Sequence, residues 1–174
     1  MKRSARCWIC GDLFEAERGS LPKGARFTCA PCVDDGLQPA DGAPLDHTTL
    51  TRVLYERHAV PYLSLADLDV PTEVLLLVHE DFARHHAVMP VMLVPLKGKG
   101  AKKIENVAGE ENGETVTPGA LVVVMADPGN EFAVEAMRRA SGLPVQRFVS
   151  TWAEIVEAIG EQYLRIAVAE GNAE

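Results

Sequence analysis

The residues of this 174-residue chain with the plainest chemical potential are its four cysteines, spaced as Cys7-x2-Cys10 and Cys29-x2-Cys32. Each Cys-x2-Cys turn aims two sulfurs at one point, and the eighteen residues between the pairs let the turns meet around one tetrahedral ion. Two disulfides, or an iron or redox centre, are the rival uses. Zn2+ is favoured because disulfides do not persist in a reducing compartment, and four thiolates leave no open coordination position for catalysis. Cys7, Cys10, Cys29 and Cys32 are therefore the predicted ligands of a structural zinc ribbon, with a hairpin expected between the pairs. Gly11 suits a tight knuckle after Cys10. Phe14 and Phe27 are expected to cover an ion that supplies the folding energy of a module too small for its own core.

Other reactive residue types form no convincing catalytic constellation. His79-Glu80 followed by His85 and His86 departs from the metallopeptidase His-Glu-x-x-His helix, which needs histidine where Ala83 stands. The three histidines read as exposed helix residues. Asp127 is a candidate base, but its place between an apolar run and a helical segment suits a cap or turn. Neither a phosphate-loop GxxxxGK[ST] nor a GxSxG nucleophile elbow occurs, so the chain is expected not to be an enzyme.

The elements that must position these residues follow from periodicity. Five consecutive apolar residues, Leu121–Met125, form a valine-rich run too short for a buried helix and suited to a central strand covered on both faces. Residues 130–141 then carry Phe132, Val134, Met137 and Ala140 at helical spacing before Gly142, and residues 144–149 form a second apolar run. A strand, crossover helix and strand predict two parallel strands in one sheet. Thr151-Trp152-Ala153-Glu154 is a capping box opening a last helix, with Trp152, Ile155, Val156, Ile159 and Tyr163 on its buried side and a fraying tail after Val168.

Upstream, residues 47–57 form a helix with Thr48 or Thr49 as its cap and Leu50, Val53 and Leu54 on one face. A short extended piece follows around Pro61 and Tyr62. Thr72 is expected to cap a helical segment through Val78, residues 80–86 form another helix, and residues 88–96, with Pro90 and Pro95, suit an edge strand. The fold class is thus α+β: a small zinc ribbon, then a compact α/β domain with a β-α-β unit and flanking helices. The sequence divides into a cysteine module and linker over 1–40 and an α/β domain over 41–168, with an insertion at 97–118.

That insertion opens on Lys97, Lys99, Lys102 and Lys103 around Gly98 and Gly100 and then turns acidic. It reads either as a solvated extension between two strands or as a lysine and glycine cluster that meets an anion such as phosphate. The net charge of -8 argues against a general nucleic-acid binder. The first 33 residues nevertheless hold six basic against three acidic side chains, which leaves a nucleic-acid-binding ribbon using Arg3, Arg6, Lys23 and Arg26 as a further reading. With no signal peptide and no apolar run long enough to span a bilayer, the expected location is the cytoplasm.

The segments VLYERHAVPYLSL, VHEDFARHHAVMPV and LVVVMADPGNEFAVEAMRRASGLPVQRFVST, closing on AEIVEAIGEQY, resemble in order and length the N-terminal domain of the assembly ATPases of type II secretion and type IV pili. The likeness is to its second subdomain. The Met-Ala-Asp-Pro turn and the Ser-Gly-Leu-Pro-Val helix exit are its most specific parts. In that family the domain is an appendage, distinct from the motor, that docks the ATPase on a membrane-platform partner, and MshEN-type members bind cyclic di-GMP. The resemblance therefore implies a non-catalytic regulatory or protein-docking module serving secretion, pilus or motility machinery, or alternatively a cyclic di-GMP receptor. Cyclic-di-GMP-binding members have a helical segment beginning Arg-Leu-Gly where this chain has its cysteines. The resemblance carries over only Arg84 and Asp127 as ligand contacts; Lys97 and Lys99 join them as candidate phosphate partners from the insertion's own lysine and glycine cluster.

Overall fold

The computed structural model describes residues 2–17, 27–37, 47–94 and 119–171. At its centre lies β4 (Leu121–Met125), with all five side chains buried. It pairs antiparallel with β3 (Val88–Leu93) and parallel with β5 (Val145–Val149), giving the order β3-β4-β5. The crossover between β4 and β5 is α5 (Glu131–Ser141), so the predicted β-α-β unit is present. Pro90 is accommodated because β3 is an edge strand, and the register shifts between Pro90 and Met92, which bends the ladder locally. Backbone bonds between Val94 and both Gly119 and Ala120 close the mouth of the β3/β4 pair. Lys97, Lys99 and all of the 97–118 insertion lie outside the described residues.

Asn130 caps α5 through its side-chain oxygen, which accepts from the Ala133 N–H at 3.1 Å, and Gly142 closes the helix at φ +69°. The buried face of α5 is Ala133, Val134 and Met137. Phe132 and Ala140, expected in the core, are exposed instead. Phe132 stands beside Phe82 and His86, with ring centroids 6.4 and 5.4 Å away.

Before the sheet come α2 (His47–His58), α3 (Thr72–Leu75) and α4 (Glu80–His86). Pro71, not Thr72, occupies the cap position of α3, because its carbonyl accepts the first helical N–H groups, from Val74 and Leu75, and the helix stops at Leu75. His79 sits at the cap of α4, its Nδ1 accepting from the Asp81 N–H at 3.3 Å. His85 is exposed as expected, but His86 is half-buried against Phe82, and burial, then the neighbouring His85, lowers its pKa.

The last helix, α6 (Trp152–Gly171), starts on the predicted capping box. The Glu154 N–H donates to Thr151 Oγ1 and the Thr151 N–H to Glu154 Oε2, both at 3.2 Å. Ile155 and Ile159 are fully buried, whereas Trp152, Val156 and Tyr163 are half-buried. Tyr163 stays anchored by donating its hydroxyl to the Val78 and Leu75 carbonyls at 2.7 and 3.1 Å. Among the described residues no helix is long and apolar enough to cross a membrane.

Candidate metal centre

The first cysteine pair lies between two short strands. β1 (Lys2–Arg6) and β2 (Leu13–Glu17) pair antiparallel from Lys2 opposite Glu17 to Arg6 opposite Leu13, and the Cys7–Cys10 knuckle turns the chain between them. The hairpin of the described residues thus closes across the first Cys-x2-Cys. A hairpin was expected between the two pairs, a stretch whose residues 18–26 lie outside the described ones. Within the knuckle the Gly11 N–H donates to the Cys7 carbonyl at 3.0 Å, and Gly11 takes φ +80°, a conformation that glycine adopts without strain. Cys29 is the cap residue of α1 (Ala30–Asp34), and Cys32 lies within that helix.

These elements bring all four sulfurs together. The Sγ atoms lie within 4.8 Å of one another, with Cys7 to Cys32 and Cys10 to Cys29 each at 3.8 Å. Tetrahedral coordination with metal–sulfur bonds of about 2.3 Å requires sulfur separations of about 3.8 Å. The donor set and its spacing therefore fit a metal ion, and the cysteines are not disulfide-bonded. As thiols they share hydrogen bonds. Those with Cys10 and then Cys32 hold the Cys7 thiol far below its ordinary range, while those with Cys32 and Cys7, together with burial, push Cys10 up.

The cluster sits in a wider apolar shell than a free-standing ribbon would have. Phe14 and Phe27 pack against it, their ring centroids 6.1 Å apart. So do Trp8, Ile9 and Leu37, the α2 residues Leu50, Val53 and Leu54, and Tyr62 and Val149 of the sheet edge. Tyr62 pairs with Val149 in a single parallel bridge that extends the sheet beyond β5. Its hydroxyl donates to the Glu154 carboxylate at 2.8 Å, and burial, then the charge of Glu154, raises the phenol pKa.

The two residues between Cys7 and Cys10 make the main polar junction. The Ile9 carbonyl accepts from the Trp152 N–H at 2.8 Å and the Trp8 carbonyl from the Ala153 N–H at 3.0 Å. The cysteine knuckle thus satisfies the first free N–H groups of α6, which would otherwise be left without partners. Trp152 covers Gly11, and the Arg6 guanidinium lies over the indole, 5.2 Å from its centroid. Sequence periodicity carries no signal for these contacts, because their partners are more than a hundred residues apart.

The two residues carried over as ligand contacts have different partners. Arg84 pairs with Glu80 on its own helix at 2.7 Å and lies over α6 near Gly160. Asp127 is exposed and folds its Oδ1 onto the Gly129 N–H at 2.9 Å, the turn role anticipated for it.

The chain is thus α+β, with its four-cysteine cluster built against the end of β5 and the first turn of α6. Residues 110–167 match the MshEN domain, and that stretch contains β4, α5, β5 and most of α6. Over 119 residues, 68% of its length, the chain is 29% identical to the type IV pilus assembly ATPase PilB of Myxococcus xanthus (strain DK1622). It spans only 17% of that relative's length. Among solved structures it is similar to the N-terminal domain of XpsE, at 22% identity and a TM-score of 0.43, covering 75% of this chain and 71% of that one. A second likeness is to MshE solved with cdg, at 18% identity and a TM-score of 0.46, covering 68% and 70%. The resemblance to secretion and pilus ATPase N-terminal domains is borne out by the domain match and the PilB likeness.

Proposed function

We propose that this chain is a non-catalytic regulatory or protein-docking module of secretion or type IV pilus machinery, acting in the cytoplasm, with Zn2+ held by Cys7, Cys10, Cys29 and Cys32 as a structural ion. The observation that carries the reading is the coincidence of the MshEN match with the β-α-β unit against which the cysteine knuckle is built. Zinc would supply folding free energy to the knuckle and so fix the N-terminus of α6. A closed set of four thiolates leaves no position for substrate, which suits a scaffold. The net charge of -8 speaks against a nucleic-acid partner.

The alternative is a receptor for cyclic di-GMP, the kind of ligand with which MshE was solved. It would use Arg84, Asp127, Lys97 and Lys99. The docking reading is preferred because Arg84 already pairs with Glu80 through its Nε and Asp127 is turned onto its own backbone. Affinity capture with the zinc-loaded chain, against the assembly ATPases and membrane-platform proteins of the same cell, tests the proposal. Saturable recovery of one of them is expected; recovery of none would remove the docking assignment.

A further inference from the structure

Arg57, in the last turn of α2, brings its guanidinium to the sulfur cluster. Its Nη1 donates to Cys32 Sγ at 3.3 Å, and its Nε donates to Asp35 Oδ2 at 3.0 Å. A second bond, from Nη2, completes the ion pair with Asp35, the C-cap residue of the helix that carries Cys32. Leu50, Val53 and Leu54 hold α2 in the cysteine shell, so the aim of this side chain is fixed by packing.

Four thiolates on a divalent ion leave an excess of negative charge, and the Cys32 sulfur is fully buried, at 0% exposure. Water cannot hydrate that sulfur. A charged N–H donor withdraws electron density from it, which makes the thiolate a weaker nucleophile and offsets the buried charge. Among the described residues, Arg6 also lies by the knuckle, but it is engaged with the Gly11 carbonyl and the Trp152 ring.

We infer that Arg57 is a positioning residue of the metal site: by donating to Cys32 while Asp35 holds its fork, it retains the ion and shields this sulfur from electrophiles. The inference rests on the metal reading above. Three readouts on the zinc-loaded full chain test it: zinc affinity against a chromogenic chelator, peptide-resolved alkylation by iodoacetamide, and the sulfur-to-metal charge-transfer absorption of the cobalt-substituted protein. Arg57→Gln is expected to weaken zinc binding about 10- to 100-fold, the usual cost of losing an outer partner of a ligand. It should also raise alkylation of Cys32 relative to Cys10 and shift the cobalt band to lower energy, since the sulfur lone pairs lose their donor. Arg57→Lys should fall between, because an ammonium keeps the charge without the fork that reaches Asp35 and sulfur together. Asp35→Asn, which leaves Arg57 in place but loosens it, provides a milder variant if Arg57→Gln does not fold.

Unchanged zinc affinity and an unchanged Cys32-to-Cys10 ratio would overturn the inference. Equal exposure of all four cysteines with an unmoved cobalt band would also overturn it, reducing Arg57 to a packing role. A wild-type chain that binds no zinc would sink the metal reading and this inference together, whereas a zinc-bound wild type with an indifferent Arg57 would sink this inference alone.

Discussion

Gly11→Ala tests the contact between the cysteine knuckle and α6. Two separate effects should add. Gly11 sits at φ +80°, where a Cβ costs about 1–2 kcal/mol. The new Cβ would also lie 2.5 Å from Trp152 Cδ1 and 2.8 Å from its Cγ, so the indole must move, at about 1–3 kcal/mol for overpacking. Together the loss is about 2–5 kcal/mol. Gly36→Ala is the matched control, since Gly36 has φ +79° and nothing within 4 Å of the new carbon. It should lose only the backbone contribution, about 1–2 kcal/mol. Urea unfolding of the zinc-loaded proteins at fixed free zinc gives both values, because bound metal itself shifts the midpoint. The double variant Gly11→Ala/Trp152→Ala should show a coupling of about 1–3 kcal/mol, since the clash is already gone. Equal losses at Gly11 and Gly36 would refute the proposed seam.

Trimming Val124, fully buried in the central strand, to alanine should cost about 1–4 kcal/mol in the same assay, and a negligible change would contradict its burial. Burial, then the charge of Glu80, pushes the Tyr163 phenol up to about 12 from the ordinary 10.0. Between those values the unfolded chain loses the proton first, so the stability that Tyr163 contributes is complete below pH 10 and disappears as pH rises towards 12. Tyr163→Phe should lower neutral stability by about 1–2 kcal/mol, through the hydroxyl bonds lost at the Val78 and Leu75 carbonyls, of which Leu75 keeps the Val78 N–H, and flatten the alkaline decline; an unchanged alkaline slope would contradict this.

Local signals in the sequence carried far. The valine run of β4 announced a strand covered on both faces, and the Thr151 and Glu154 pair announced the start of α6, because each is written within a few consecutive residues. Cysteine spacing likewise announced four converging sulfurs. What the sequence hid is which faces meet. The stripe of Leu50, Val53 and Leu54 identifies a buried face of α2 without saying that it covers the cysteines. Glu154 reads as a capping residue, yet it also receives the Ser150 hydroxyl at 2.7 Å and the hydroxyl of Tyr62 from a distant segment. Arg57 gave no signal at all, since an arginine at the end of an amphipathic helix looks like a solvated residue until a sulfur is placed beside it. Phe132 misled in the opposite direction: an apolar residue at helical spacing faces outward, next to Phe82 and His86.

The docking and receptor readings share the fold and the metal centre and differ in the ligand. A calorimetric titration of the zinc-loaded chain with cyclic di-GMP, with GTP as control, separates them most directly. No saturable heat is expected with either nucleotide, because Arg84 and Asp127 have partners of their own. Saturable micromolar binding of cyclic di-GMP alone, abolished in Arg84→Ala, would contradict the account and make this chain a second-messenger receptor.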